Sequence, residues 1–190
     1  MNTHPIFDAI LARRSIRRFQ NRPVPREHIK KLLQAAMAAP SACNLQPWAF
    51  IVVDEPTALQ KLKDAASQGQ YNAPLAIVVC GITKHIPWQD EGWRQDCGGA
   101  VVNMMLAAVE LGLASVCVGG FEEPALRIAM DIPDDVQPMC IVELGYASYD
   151  RPPLSWYTDE AVHWQKYDRE KPRTLRTLQM LEDDKAAGII

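Results

Sequence analysis

Short apolar strands separated by amphipathic helices predict a layered domain in which helices cover a central sheet. Two features carry that expectation. LAIVVCGI, residues 75–82, is apolar throughout, as a strand covered on both faces must be. Around it, apolar residues recur at helical period between the β-branched runs. The chain has 190 residues, 48% hydrophobic and 23% charged, enough to bury a full core. Residues 1–190 are therefore expected to form a single domain.

Pro5 opens a first helix with Ile6, Phe7, Ile10 and Leu11 on one face. Val24-Pro25-Arg26-Glu27 starts a second, in which Ile29, Leu32, Leu33, Ala36 and Met37 keep the period until Pro40 ends it. AFIVVDEP (49–56) is a strand closed by a turn, and TALQKLKDAA (57–66) a helix. After the strand at 75–82, a long helix is expected from about Gln95 to Leu111, capped by Gly112. ASVCVGG (114–120) is a strand, EEPALRIAM (122–130) a helix, and MCIVELGYA (139–147) a last strand. Beyond Ser148 the chain is rich in Pro, Trp and Tyr without regular period, which suggests an arm packed on a second subunit. The aromatic stretch 84–94, KHIPWQDEGWR, reads either as a lid or as a surface turn, and 168–190 as an extension.

Bulk properties exclude several classes. A net charge of -3 and a pI near 5.8 oppose a nucleic-acid-coating protein. No apolar run reaches the roughly 18 to 20 residues needed to span a bilayer, and MNTHPIFDAILARR lacks signal-peptide features. The five cysteines are odd in number and form no CxxC pair, so they read as small reduced core residues of a cytoplasmic protein. The four histidines are scattered, and no metal site is expected.

Three constellations could carry chemistry. RRSIRRF (13–19) packs four arginines around Ser15. Forked guanidiniums suit bidentate phosphate recognition, although a solvated basic corner explains the residue types equally well. APSACNLQPW (39–48) concentrates Ser41, Asn44 and Gln46 between stiffening prolines. Its amides match a heterocycle with alternating donors and acceptors, or simply shape a helix-to-strand connector. VCVGG (116–120) ends a strand in paired glycines, which permits close backbone approach by a ligand or makes an ordinary turn. Neither GxGxxG nor GxxxxGK[ST] occurs.

Taken in order, RRSIRRF, APSACNLQPWAFIVV, YNAPLAIVVC, DCGGAVVNMMLAAVELGL, ASVCVGGF, LGYASYDRPP and DEAVHW resemble the nitroreductase family of FMN-dependent oxidoreductases over roughly residues 5–167. The resemblance implies an α+β, three-layer fold: a central mixed sheet flanked by helices, in a homodimer with swapped terminal arms and FMN at the subunit interface. It implies ping-pong hydride transfer from NADH or NADPH to nitroaromatics, quinones or similar acceptors. Reductive dehalogenation and non-catalytic flavin binding are the family's alternatives.

Position by position, Arg13, Arg14, Ser15 and Arg17 look like ligands of the FMN phosphate, ribityl chain and pyrimidine edge. Pro40, Ser41, Ala42 and Asn44 resemble the loop laid over the flavin by the second subunit, with Gln46 and Trp48 supporting it. Val118, Gly119 and Gly120 resemble the segment along the reactive edge, the Gly120 N–H facing flavin N5. Arg151 fits the basic residue that closes on the phosphate. Many members carry Lys-x-Arg there, whereas this chain has Tyr149-Asp150-Arg151, and some place a glutamate where it has Gly119. Arg18 and Arg22 are expected to be surface residues.

Overall fold

The computed structural model of the chain describes residues 5–66, 71–83, 92–153 and 157–172. Most of the lid candidate 84–94, and residues 173–190 of the extension, lie outside them. The described elements are α1 (Pro5–Ala12), α2 (Arg26–Met37), β1 (Trp48–Val53), α3 (Pro56–Ala65), β2 (Leu75–Ile82), α4 (Gly92–Glu110), β3 (Ala114–Val118), α5 (Glu123–Met130) and β4 (Val136–Gly145). Short 3₁₀ turns occupy Ala42–Asn44 and Asp159–Ala161.

The strands form one sheet in the order β1-β2-β4-β3. Two cores sandwich it, giving the expected three layers. On one face Leu75, Ile77, Val79, Val142 and Leu144 pack with α2 and α4; on the other, Ala76, Val78, Val116 and Ile141 pack with α3 and α5. Alternating side chains of a pleated strand supply both cores at once, which is why β2 had to be apolar throughout.

The sheet was expected to be mixed. Every ladder between the described strands is instead antiparallel, and parallel pairing is confined to the bridge Ser15–Ser115. Helix–strand alternation dictates that helices cover the sheet; it does not require parallel crossovers, because a helix can also sit between antiparallel neighbours. β4 begins at Val136, ahead of the expected Met139, because Pro138 is accommodated where the register shifts opposite Cys80. α4 begins at Gly92, before the expected Gln95.

Two glycines have specific duties. A Cβ at Gly81 would lie 2.0 Å from the ring of Trp93, so its absence lets α4 seat that tryptophan on β2. Gly112 adopts φ +67 at the end of α4, where its left-handed backbone turns the chain into β3. Three cysteines, Cys80, Cys97 and Cys140, are core residues as expected. Cys43 and Cys117 are exposed, one in a loop and the other alternating outward between buried Val116 and Val118 on an edge strand.

Candidate active site

The arginine segment is fastened to the sheet by its backbone. Ile16 N donates to Ser115 O at 3.0 Å, Gln20 N to Tyr146 O at 2.8 Å, and Ser148 N to Arg18 O at 3.1 Å. Asn72 clamps Phe19 from the side: its Nδ2 donates to Phe19 O at 2.8 Å, and its Oδ1 accepts from Phe19 N at 3.0 Å. Ile16 and Phe19 turn into the core at 5% and 3% exposure, which leaves the intervening arginines outside it.

Arg13, Arg14 and Arg151 line one pocket together with Gly112, Ser115 and Tyr149. Arg151 Nη1 donates to Ser15 O at 3.4 Å, and Arg14 Nη1 to the Pro152 carbonyl at 2.5 Å. The Arg17 N–H donates to the Tyr149 hydroxyl at 3.3 Å. The Tyr149 ring lies below the guanidiniums of Arg18 at 4.8 Å and Arg151 at 6.0 Å. Partial burial, reinforced by the charges of Arg14 and Arg17, holds the Arg151 guanidinium below its ordinary range, with Tyr149 opposing. Like charges crowded in this way favour an anion between them.

Arg13, Arg14, Ser15, Arg17 and Arg151 are thus brought together. Tyr149 was not anticipated, although an aromatic two residues before an arginine is a readable cation–π platform. Arg18 and Arg22 are exposed as expected, and Arg22 stacks on Tyr146 at 3.8 Å.

Ser15 and Arg17 adjoin this pocket through Arg151 and Tyr149 without lining it, and the other expected residues do not line it either. After α2, the loop bearing Pro40, Ser41, Ala42 and Asn44 turns through Cys43, Asn44 and Gln46 at φ 51, 56 and 51. Left-handed backbone at non-glycine residues costs about 1 kcal/mol or more each and persists only when neighbours enforce it. Ser41 Oγ accepts from Gln46 N at 3.0 Å, and Gln46 Nε2 donates to Asn44 Oδ1 at 3.2 Å, so Gln46 does support the loop. From α4, Asp96 accepts the Ala42 N–H at 3.2 and 3.3 Å with its two oxygens. Asp96 was missed, yet it lies in helical phase with Ala100 and Met104, an acid at a core position.

Val118 closes β3, and Gly119 and Gly120 follow it. Gly119 lies roughly 13 Å along the chain from Ser115 at about 3.3 Å per residue. A ligand that reaches from the arginines to these glycines must be elongated and anionic at one end.

A profile of the nitroreductase family matches residues 10–74 and 62–146. The chain belongs to the nitroreductase family. Membership places it among oxidoreductases. A protein of Archaeoglobus fulgidus with the inferred name NADH dehydrogenase/NAD(P)H nitroreductase is 39% identical over 168 residues, 85% of this chain and 95% of that one. A crystal structure of a protein with the same inferred name, from Parabacteroides distasonis, superposes with a TM-score of 0.80 at 30% identity, over 87% of this chain and 100% of the other. A Clostridium difficile structure described as an FMN-dependent nitroreductase reaches 0.74 at 28% identity, over 85% and 99%.

For a nitroreductase-family chain, two local features stand out. Tyr149 stands where a Lys-x-Arg pair would carry its lysine, and it sets its ring 6.0 Å from the Arg151 guanidinium rather than adding a charge. At Gly119, a Cβ would meet nothing within 4 Å, so the space beside the glycine pair is open. Among the described residues no helix is long and apolar enough to cross a membrane, and no cluster of acids, histidines and cysteines could hold a metal.

Proposed function

We propose that this chain is an FMN-dependent oxidoreductase. It draws electrons from NADH or NADPH and passes them, in a ping-pong cycle, to nitroaromatics, quinones or similar flat electron-poor acceptors. The convergence of Arg13, Arg14 and Arg151 on one pocket carries this reading. Three permanently charged forks suit a phosphate monoester better than a carboxylate or a neutral ligand. The donor set therefore fits FMN, which when bound supplies the hydride chemistry.

Arg13, Arg14, Ser15 and Arg151 would hold the phosphate, and Arg17 would place a fixed positive charge at the pyrimidine edge. Pro40, Ser41, Ala42 and Asn44, absent from the pocket of their own chain, would cover the cofactor of a partner subunit. Val118, Gly119 and Gly120 would flank the ring with backbone alone. The Gly120 N–H is assigned to flavin N5. A backbone amide orients that atom without giving up a proton, so no side-chain acid is needed there.

The partner is a second copy of the chain. Ile6, Phe7 and Ile10 on α1 are 74%, 57% and 47% exposed, and Val102 on α4 is 53% exposed, an apolar surface that calls for cover. The terminal arm beyond Ser148 would cross to that copy. The whole chain acts as one domain in this reading, and its unpaired cysteines suit the reducing cytoplasm.

Arg13→Ala and Arg17→Ala test the assignment. Each removes a charge-assisted contact worth about 1.5 to 3 kcal/mol. FMN should therefore bind about 10- to 100-fold more weakly by fluorescence titration, with turnover falling in parallel. Unchanged occupancy and turnover in both variants would refute these roles.

A further inference from the structure

The loop between α2 and β1 is held from below by a buried carboxylate. Asp96 is 8% exposed, and both of its oxygens accept from the Ala42 N–H. Ala42 opens the 3₁₀ turn, so its N–H has no partner within the turn itself. Left-handed Cys43 and Asn44 follow immediately, a conformation that survives only while the surroundings enforce it. The bonds of Gln46 to Ser41 and Asn44 run within the loop. They fix its shape, but not its place on the protein.

Asp96 supplies that place. Its neighbours Trp93, Cys97 and Ala100 are buried at 2%, 0% and 0% exposure, and Cys97 Sγ donates to Cys80 O at 3.6 Å. This stretch of α4 is therefore locked to β2, and the carboxylate is its reach to the loop.

We propose that Asp96 is the positioning residue that sets where Ser41–Asn44 stand over the flavin of the partner subunit. This role rests on the proposed reading of that loop as the flavin's cover. Asp96 does not line the arginine pocket; it acts through the Ala42 N–H. Its loss should slow the reaction at the ring and leave phosphate recognition intact.

The test uses the FMN-loaded full chain and reads the single-turnover rate of flavin reduction by NADH or NADPH. Relative affinity for FMN and riboflavin is measured beside it. Asp96→Ala removes the acceptor. Ala42→Pro removes the donor at a first-turn position that accepts proline, because Ser41 before it is extended at φ -140, ψ 153. Each variant should slow reduction by about 10- to 100-fold, the usual effect of a small misplacement. The double variant should be no slower than the slower single one. The preference for FMN over riboflavin, set by the arginines, should stay within about twofold of wild type. Asp96→Asn, which keeps an acceptor, should recover most of the rate.

If Asp96→Ala does not fold, Ala42→Pro and Asp96→Asn decide alone. Wild-type reduction rates in Ala42→Pro, or multiplied effects in the double variant, would overturn the role of Asp96 while leaving the flavin reading intact. A wild-type protein that takes up no FMN would overturn both.

Discussion

Glu143 is an acid in the middle of a sheet. It sits on β4 between Ala76 and Val116, is 6% exposed, and lines a small cavity with Leu62 and Lys63. Burial pushes its carboxyl up to about 8, while Lys63 and the Tyr71 N–H pull it back. The folded chain thus keeps a proton that the unfolded chain releases near its ordinary value of 4.5. This group's contribution to stability is full below 4.5, falls as pH rises, and is gone above about 8. Glu143→Gln should remove that slope and stabilise the protein at pH 8 by up to about 4 kcal/mol, read from denaturant melts across pH. Parallel pH profiles for variant and wild type would show that Glu143 is not buried as a proton carrier. At this scale the arginines were legible because four guanidiniums within six residues are compatible with an anion site, and the ordered motifs downstream tipped that reading over a solvated corner. Tyr149 and Asp96 were not, because their partners Arg17 and Ala42 lie 132 and 54 positions away in the chain.

Helices and strands were largely legible because burial dictates their periods, and the misses occur where a local rule met tertiary context. Pro138 reads as a strand breaker, yet the register shift beside Cys80 gives it a place in β4. The left-handed turn at Cys43 and Asn44 contains no glycine to announce it; the Ser41 clamp holds its shape and Asp96 its place. α4 is informative in the opposite way. Its inward side carries Trp93, Cys97, Met104 and Met105, but its outward side carries exposed Val102 where a solvent-facing helix would be polar. Val102→Glu would place an unpaired charge in the proposed subunit contact. Light scattering should show a dimer for wild type and monomer for the variant, with FMN bound at least about tenfold more weakly, since the proposed dimer takes its covering loop from the partner. A variant that stays dimeric would remove α4 from the interface.

Across the whole molecule, the proposed site draws on three separated groups: arginines at the start of β3, glycines at its end, and a strained loop resting on α4. The layered arrangement was readable from strands apolar on both faces, whereas the antiparallel order was not, since helix–strand alternation fits either direction. The separation also explains why the loop motif alone looked like a mere connector: within one chain it meets α4, not the pocket. An elongated phosphate-bearing cofactor between two copies unites the three groups, and that is the central claim. The most direct measurement is anaerobic absorption spectroscopy of the purified chain incubated with FMN and then given NADH or NADPH. Tightly held flavin that bleaches with the reductant and regains its colour on addition of a quinone is the expected result. A chain that stays colourless after FMN is washed away, or holds a flavin that neither reductant bleaches, would contradict it.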